Sequence, residues 1–371
     1  MNVFLKKIAL LNFKNYEDAS LEFCYGINCL VGNNGIGKTN ILDAIYYLSL
    51  CKSYFSGIDT QHIKHGQDFF VIQGEYHRDD KIENVYCGVK PGHKKMFRCN
   101  GKEYERLSDH IGLLPLVMIS PADSSLILDG SDERRKFIDS VIAQFDHQYL
   151  DDLMRYHKSL NQRNQLLKDF ALKNRFDADL IEMWNEQLVA TGQKIFEKRQ
   201  FFINDLIPVF QHYYEFVSGG KEKVQLTYES QLFENDFSKL LSDSITKDRK
   251  VLFTTVGIHK DDLVLKLDDY PIKRVGSQGQ QKTFLVALKL AQFDYIKLHS
   301  GIHPLLLLDD IFDKFDKYRV NKIIKLTAST NFGQIFITDT NAERLKDILA
   351  QIAGEYKLFR IGEEGSVAVI K

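Results

Sequence analysis

Residues 27–48 read INCLVGNNGIGKTNILDAIYYL, and the middle of this stretch decides how the chain folds. Gly32-Asn33-Asn34-Gly35-Ile36-Gly37-Lys38-Thr39 matches G-x-x-x-x-G-K-[ST] at every fixed position. Glycines at this spacing let backbone N–H groups curl around phosphate oxygens without Cβ clashes. Lys38 is then placed to reach the β- and γ-phosphates, and the Thr39 hydroxyl to ligate Mg²⁺. The flanks give the setting the motif needs. Ile27-Asn28-Cys29-Leu30-Val31 reads as a short buried strand, and Ile41, Leu42, Ile45 and Leu48 fall on one helical face. Strand, glycine-rich loop and helix predict a nucleoside triphosphate site over residues 32–40, ending on Asn40, with the positive end of the helix toward the anion.

Such a site needs a carboxylate at the end of a second strand to hold magnesium. Pro304-Leu305-Leu306-Leu307-Leu308-Asp309-Asp310 supplies it: the leucines read as a buried parallel strand with Asp309 at its carboxyl end. Asp309 is the candidate Mg²⁺ carboxylate, alongside Thr39. Asp310, with Lys38, is the candidate catalytic residue, orienting or polarising an attacking water. Upstream, Gly276-Ser277-Gln278-Gly279-Gln280-Gln281-Lys282 opens a strongly apolar helix and forms a second anion-binding helix start. Downstream, Gln334-Ile335-Phe336-Ile337-Thr338-Asp339 reads as a further apolar strand.

Together these pieces resemble the ATP-binding-cassette (ABC) ATPases. Ser277, Gln278, Gly279 and Gln280 resemble their signature motif, LLLLDD their Walker B strand, and Asp313-Lys314-Phe315-Asp316 their D-loop. Thr338 or Asp339 stands where that family carries a switch histidine. The resemblance implies that the signature serine reaches the γ-phosphate held by a second subunit. An ATP-dependent homodimer follows, with two nucleotides sandwiched between two chains. Asp310 is shorter than the glutamate of many cassette ATPases, which points to slow turnover.

Most of the chain separates Lys38 from Asp309, so a large insertion splits the ATPase core. Leu153, Tyr156, Leu160, Leu167 and Phe170 recur at helical spacing, with Arg163 the polar exception. Ile181, Trp184, Leu188, Ile195 and Phe202 continue the pattern on a second helix, after a turn at residues 173–177. These predict an antiparallel pair of helices of roughly 25 residues each, about 40 Å long. Further segments resemble the RecF recombination-mediator family, in the SMC-like branch of the ABC ATPases. They are Leu10-Leu11-Asn12-Phe13-Lys14-Asn15-Tyr16, Ser120-Pro121-Ala122-Asp123, residues 130–139 (GSDERRKFID) and Gly257-Ile258-His259-Lys260-Asp261-Asp262. The resemblance runs in order over nearly the whole chain. It departs at Lys52-Ser53-Tyr54-Phe55, where the family more often carries an arginine near Phe55.

This resemblance implies binding to duplex DNA near single-strand gaps, and cooperation with mediators of the RecR/RecO type in loading recombinase onto gapped DNA. ATP and Mg²⁺ are the implied cofactors, and the cytoplasm, in association with the nucleoid, is the implied place of action. Candidate DNA contacts are Lys94, Lys95 and Arg98, in a hairpin before Asn100-Gly101, and Lys173 and Arg175 at the tip of the helical lobe. Each cluster also reads as a solvated charged surface, and His259 as a structural histidine in a turn.

Composition bounds the rest. The net charge of −1 excludes a globally basic surface, so any nucleic-acid contact must be a local patch. No apolar run approaches a membrane helix, so no membrane partner is expected. The five cysteines form no Cys-x-x-Cys pair and read as buried thiols. A nucleotide-gated scaffold with negligible turnover is the competing reading; a transporter ATPase fits less well because of the insertion. The expected architecture is α/β: an ABC-type P-loop ATPase lobe of residues 1–125 and 250–371 with an adjoining antiparallel sheet, and an inserted, mainly helical lobe of residues 126–249.

Overall fold

The computed structural model describes residues 2–220, 222–311, 319–320, 322–323, 326, 332–350 and 355–370. It divides into two compact units. One comprises Met1–Asp123, Tyr213–Gly220 and Gln278–Lys371, and the other Ser124–His212 and Lys221–Ser277.

The first stretch of the first unit carries β1 (Val3–Phe13), β2 (Tyr16–Glu22), β3 (Ile27–Val31), helix α1 (Lys38–Leu50), β4 (Phe70–Arg78), β5 (Lys81–Val89), β6 (Met96–Cys99), β7 (Lys102–Glu103) and β8 (Leu116–Ile119). An antiparallel sheet runs in the order β2-β1-β4-β5-β6-β7. Its strands alternate between covered and more exposed positions: Phe70, Ile72, Gly74 and Tyr76 of β4 are buried and the residues between them are less so. Asn100 and Gly101 join β6 to β7 with φ of 52° and 79°, the paired left-handed conformation that suits a two-residue hairpin.

The second unit carries α2 (Ser131–Ile142), α3 (His147–Leu172), most of α4 (Ala178–Ser218), β9 (Val224–Glu229), α5 (Phe237–Val251), β10 (Asp262–Leu267) and β11 (Tyr270–Pro271). Helices α3 and α4 lie antiparallel, as expected. Near the start of α3, Asp146 meets Lys198 and Tyr149 meets Arg199, whereas farther along α3 Arg163 meets the earlier Asn185. The expected lengths need correcting, since α3 has 26 residues but α4 has 41 and runs through Pro208. The unit is mainly helical, as expected, and β9, β10 and β11 add an antiparallel sheet of their own. Pairing of β10 with β9 draws residues 262–271 into this unit, so its second boundary falls at Ser277 and not near residue 250.

Two buried guanidinium groups organise the second unit. Arg163, an interruption in an apolar pattern, is fully buried. It donates to Asn185 Oδ1 at 2.8 Å, and to Asp248 Oδ2 and Thr254 Oγ1 at 2.8 Å each. Arg199 pairs with Asp139 at 2.9 Å and with Asp261 at 3.0 Å. The segments 130–139 and 257–262 are thereby clasped together. Arg134 holds Asp262 with two bonds of 2.6 and 2.9 Å, and Arg135 donates to the Asp261 carbonyl at 2.5 Å. Charges this deep persist only when paired and hydrogen-bonded.

The chain returns to the first unit with α6 (Gln278–Ser300), β12 (Leu305–Leu308), β13 (Ile335–Asp339), α7 (Ala342–Leu349), β14 (Tyr356–Ile361) and β15 (Val367–Val369). The core sheet runs β15-β14-β3-β13-β12-β8 and is parallel except for β15. Its inner strands β3, β12 and β13 are buried at every residue, as continuous apolar runs require. Helix α1 packs against β4 and β5 of one sheet and β8 and β13 of the other. It is therefore buried on all sides rather than on the one face its spacing suggests: every residue except Thr39 and Asn40 is covered.

Candidate nucleotide site

The site forms where β3, β13 and β12 end at the same edge of the core sheet. The loop strand β3 and the acid strand β12 are not neighbours, since β13 lies between them. This order puts three carboxyl ends side by side: the loop after Val31, Thr338-Asp339, and Asp309-Asp310. Open α/β sheets bind ligands at such edges.

The loop is shaped by its glycines. Gly35 and Gly37 take φ of 78° and 110°, where a side chain is strained. A Cβ on Gly37 would also lie 2.4 Å from Asn15 Nδ2, and one on Gly32 2.5 Å from the Ile361 carbonyl oxygen. No side chain caps the start of α1, because Gly37 occupies the cap. Asn40 N–H turns back to the Gly37 carbonyl at 3.0 Å, and the N–H groups before it form the anion-binding start of the helix. Asn15 braces the loop from below: it donates to the Ile36 carbonyl at 3.0 Å and accepts from Asn40 Nδ2 at 2.7 Å. The Tyr16 hydroxyl donates to the Gly37 carbonyl at 3.0 Å. These braces are not visible in the loop motif, although Asn15 and Tyr16 close the LLNFKNY segment.

Lys38 folds back across the loop and donates to the carbonyls of Gly32 and Asn33 at 2.7 and 2.8 Å. Burial lowers its pKa, opposed by the negative charges of Asp310, Asp309 and Asp339. Thr39 donates to both Asp309 oxygens at 2.9 and 3.1 Å, across 270 residues of sequence. Burial raises the Asp309 pKa, against hydrogen bonds from Thr338 and Thr39 that lower it. A hydroxyl and a buried carboxylate meeting beside the phosphate loop are the donor set of a hard divalent cation that completes its shell with water and phosphate oxygens. The residues present therefore fit Mg²⁺, which Thr39 and Asp309 would hold.

The switch position resolves into two different roles. Thr338 Oγ1 donates to Asp309 Oδ1 at 2.8 Å and accepts from the Asp310 backbone N–H at 2.8 Å. It thus fixes both acids of the LLLLDD strand end. Asp339 is fully buried and gripped by Arg344 through bonds of 2.6, 2.7 and 3.1 Å, with Asn341 N–H added at 2.8 Å. Its carboxylate is committed to the start of α7, and Thr338 is the one that faces the acids. Asp310 sits at φ 46°, a left-handed backbone that aspartate tolerates better than most residues.

The other candidates fall elsewhere. Gln278, Gly279 and Gln280 open α6, with Ser277 just before it, and Ser277 and Gln278 are exposed. Asp313 and Asp316 lie outside the described residues. Lys95 is engaged within the protein: its ammonium is tied to Asp59 at 2.8 Å, to the Cys51 carbonyl at 2.8 Å and to the Tyr47 hydroxyl at 3.2 Å. Arg98 lies over the Tyr86 ring, and Lys94 is exposed. Lys173 and Arg175 are exposed at the α3–α4 turn, where Arg175 pairs with Asp177 at 3.5 Å. His259 is a structural residue. Its ring nitrogens meet the Tyr156 hydroxyl at 2.8 Å and the Thr254 carbonyl at 3.0 Å, and burial holds its pKa down to about 4. The five cysteines are all free, four buried and Cys99 partly so. Among the described residues, no helix is long and apolar enough to cross a membrane.

Fold and site together define an ABC-type P-loop ATPase lobe with an inserted second unit. Residues 4–357 match the family described as RecF/RecN/SMC N terminal domain. The protein called DNA replication and repair protein RecF in Flavobacterium johnsoniae is 52% identical over 357 residues, 96% of this chain and 99% of its own length. Its namesake in Phocaeicola vulgatus is 53% identical over 98% of each chain. A solved structure of the recombination mediator protein RecF with ATP, in the RecFOR pathway, is 30% identical. It superposes with a TM-score of 0.89 over 100% of this chain and 98% of that one. An Smc head domain from Pyrococcus furiosus shares the fold at a TM-score of 0.59 and 17% identity. The chain belongs to the RecF family of DNA replication and repair proteins.

Proposed function

We propose that this protein is an ATP-gated DNA-binding mediator of recombinational repair. It binds Mg-ATP through residues 32–40 and Asp309, and pairs with a second copy when ATP is bound. In that state it holds duplex DNA near single-strand gaps and acts with RecR/RecO-type mediators to load recombinase, in the cytoplasm and in association with the nucleoid. The observation that carries this reading is the meeting of Thr39 with Asp309 at 2.9 Å, beside a loop whose lysine and glycines are shaped for phosphates.

Within this reading the residues divide the work. Loop N–H groups and Lys38 hold the phosphates, and Thr39 and Asp309 hold Mg²⁺, which offsets phosphate charge when bound. Thr338 keeps Asp309 and Asp310 in register. Asp310 orients the water that attacks the γ-phosphate, and Ser277 with Gly279 reaches the nucleotide of the second copy. Each added contact exists only in the ATP-bound pair, so ATP favours pairing by mass action. Hydrolysis removes those contacts and releases the DNA, which makes slow turnover a timer. A scaffold with negligible turnover would share every step but the last.

The test is binding of a fluorescent gapped duplex, measured by anisotropy with no nucleotide, with ADP and with Mg-ATP. Tighter binding with Mg-ATP alone, lost in Lys38→Met, is the expected result. Equal binding in all states would exclude the ATP gate.

A further inference from the structure

A concave pocket of about 360 Å³ opens in the second unit, where the end of α3, the turn before α4 and the later half of α5 meet. Its floor is apolar: Leu167 is buried, and the rings of Phe170 and Phe176 meet edge to face at 5.6 Å. Its wall is cationic, with Arg175, Arg249 and Lys250 lining it and no acidic residue among the lining. The Arg249 guanidinium lies 4.2 Å from the centre of the Phe176 ring, which holds it over the aromatic floor. Arg175 is 77% exposed, and its ion pair with Asp177 spans 3.5 Å. A contact that open is weak and readily exchanged. Nothing in the nucleotide reading uses this pocket.

We propose that this pocket is a docking site for an acidic peptide segment that ends in, or carries, one large apolar or aromatic side chain. The anchor side chain enters over Phe170 and Phe176. The flanking carboxylates meet Arg175, Arg249 and Lys250. Two features favour a peptide over a single-stranded nucleic acid. A base needs an open aromatic face, and one face of Phe176 is covered by Arg249 while Phe170 and Phe176 pack against each other edge to face. The pocket is also a single open hollow of about 360 Å³, so it suits one anchor with short flanks. A cationic rim around an apolar centre matches the usual layout of a docking hot spot, in which the anchor supplies affinity and the charges steer.

The probe is a short dye-labelled peptide with a run of aspartates and glutamates ending in Leu-Phe. Anisotropy is followed on the full-length protein without nucleotide or DNA. Saturable binding is expected, weakened about tenfold by Arg249→Glu and again by Lys250→Glu, since each reverses a charge at the rim. Both residues are exposed, so thermal unfolding of the variants should match the parent. A peptide ending in Gly-Gly with the same acidic run should bind about tenfold more weakly or worse, since the anchor is lost. Absence of saturable binding would overturn the proposal. So would binding indifferent to the Leu-Phe end, or displacement of the peptide by a single-stranded oligonucleotide that itself binds more tightly and loses affinity in Arg249→Glu. None of these readouts depends on ATP binding or pairing, so the nucleotide reading stands or falls separately.

Discussion

Thr338 is the residue on which the two acids of the site depend. Its hydroxyl serves Asp309 and the Asp310 N–H at once, so Thr338→Val leaves a buried carboxylate short of a donor and an N–H without its acceptor. We expect about 1–3 kcal/mol of lost stability, read from urea unfolding, and ATP turnover reduced far more than ATP affinity. Thr338→Ser should restore both. Lys38→Met behaves in the opposite way: it removes an ammonium whose burial is unfavourable, so the protein should unfold no more easily while nucleotide binding falls at least about tenfold. The loop residues were legible because a fixed spacing encodes them. The division between Thr338 and Asp339 was not, because only the fold shows that Arg344 has taken Asp339. Two histidines set a pH limit. Burial holds His110 and His259 to a pKa of about 4, below the ordinary 6.5, so both are neutral in the fold. Protonation therefore favours the unfolded chain. Stability from these groups is complete above about pH 6.5 and is lost as pH falls toward 4, at roughly 1.4 kcal/mol per pH unit for each histidine. Thermal midpoints measured from pH 8 to pH 5 should hold level and then fall, with a shallower fall in His259→Asn.

At the scale of elements, helices and strands followed from periodicity wherever one environment covers one face. Strands β4 and β5 alternate between buried and more exposed positions, and the leucines of β12 are buried as they read. Periodicity failed where tertiary contact overrode it. Helix α1 carries Tyr46, Tyr47 and Asp43 into the interior because a second sheet covers what its spacing marks as the outer face. In α3, Arg163, the polar exception in the apolar pattern, is fully buried against Asp248. The partner lies 85 residues away, so no local pattern could disclose it. Removing one member of such a pair leaves the other charge uncompensated. Arg163→Met should therefore cost about 3–5 kcal/mol, seen as a lowered urea midpoint with an unchanged slope. The double variant Arg163→Met, Asp248→Asn should recover much of that loss, and equal destabilisation of single and double variants would mean that the charge pair is not what binds α3 to α5.

For the whole molecule, the class was legible from three short motifs because phosphate and metal chemistry tolerates few spacings. What the motifs left open was how far the inserted unit extends, since the pairing of β10 with β9 carries no local signal. The central claim concerns two copies of the chain: ATP held at residues 32–40 of one is completed by Ser277 of the other. Ser277 is exposed, as that role requires. Sedimentation velocity of the purified protein with no nucleotide, with ADP and with Mg-ATP, beside Ser277→Arg, tests this most directly. The account predicts a dimer with Mg-ATP only, and a monomer under every condition in Ser277→Arg, with ATP affinity of the monomer unchanged. A Mg-ATP dimer that survives Ser277→Arg, or a monomer throughout even on gapped duplex DNA, would contradict it.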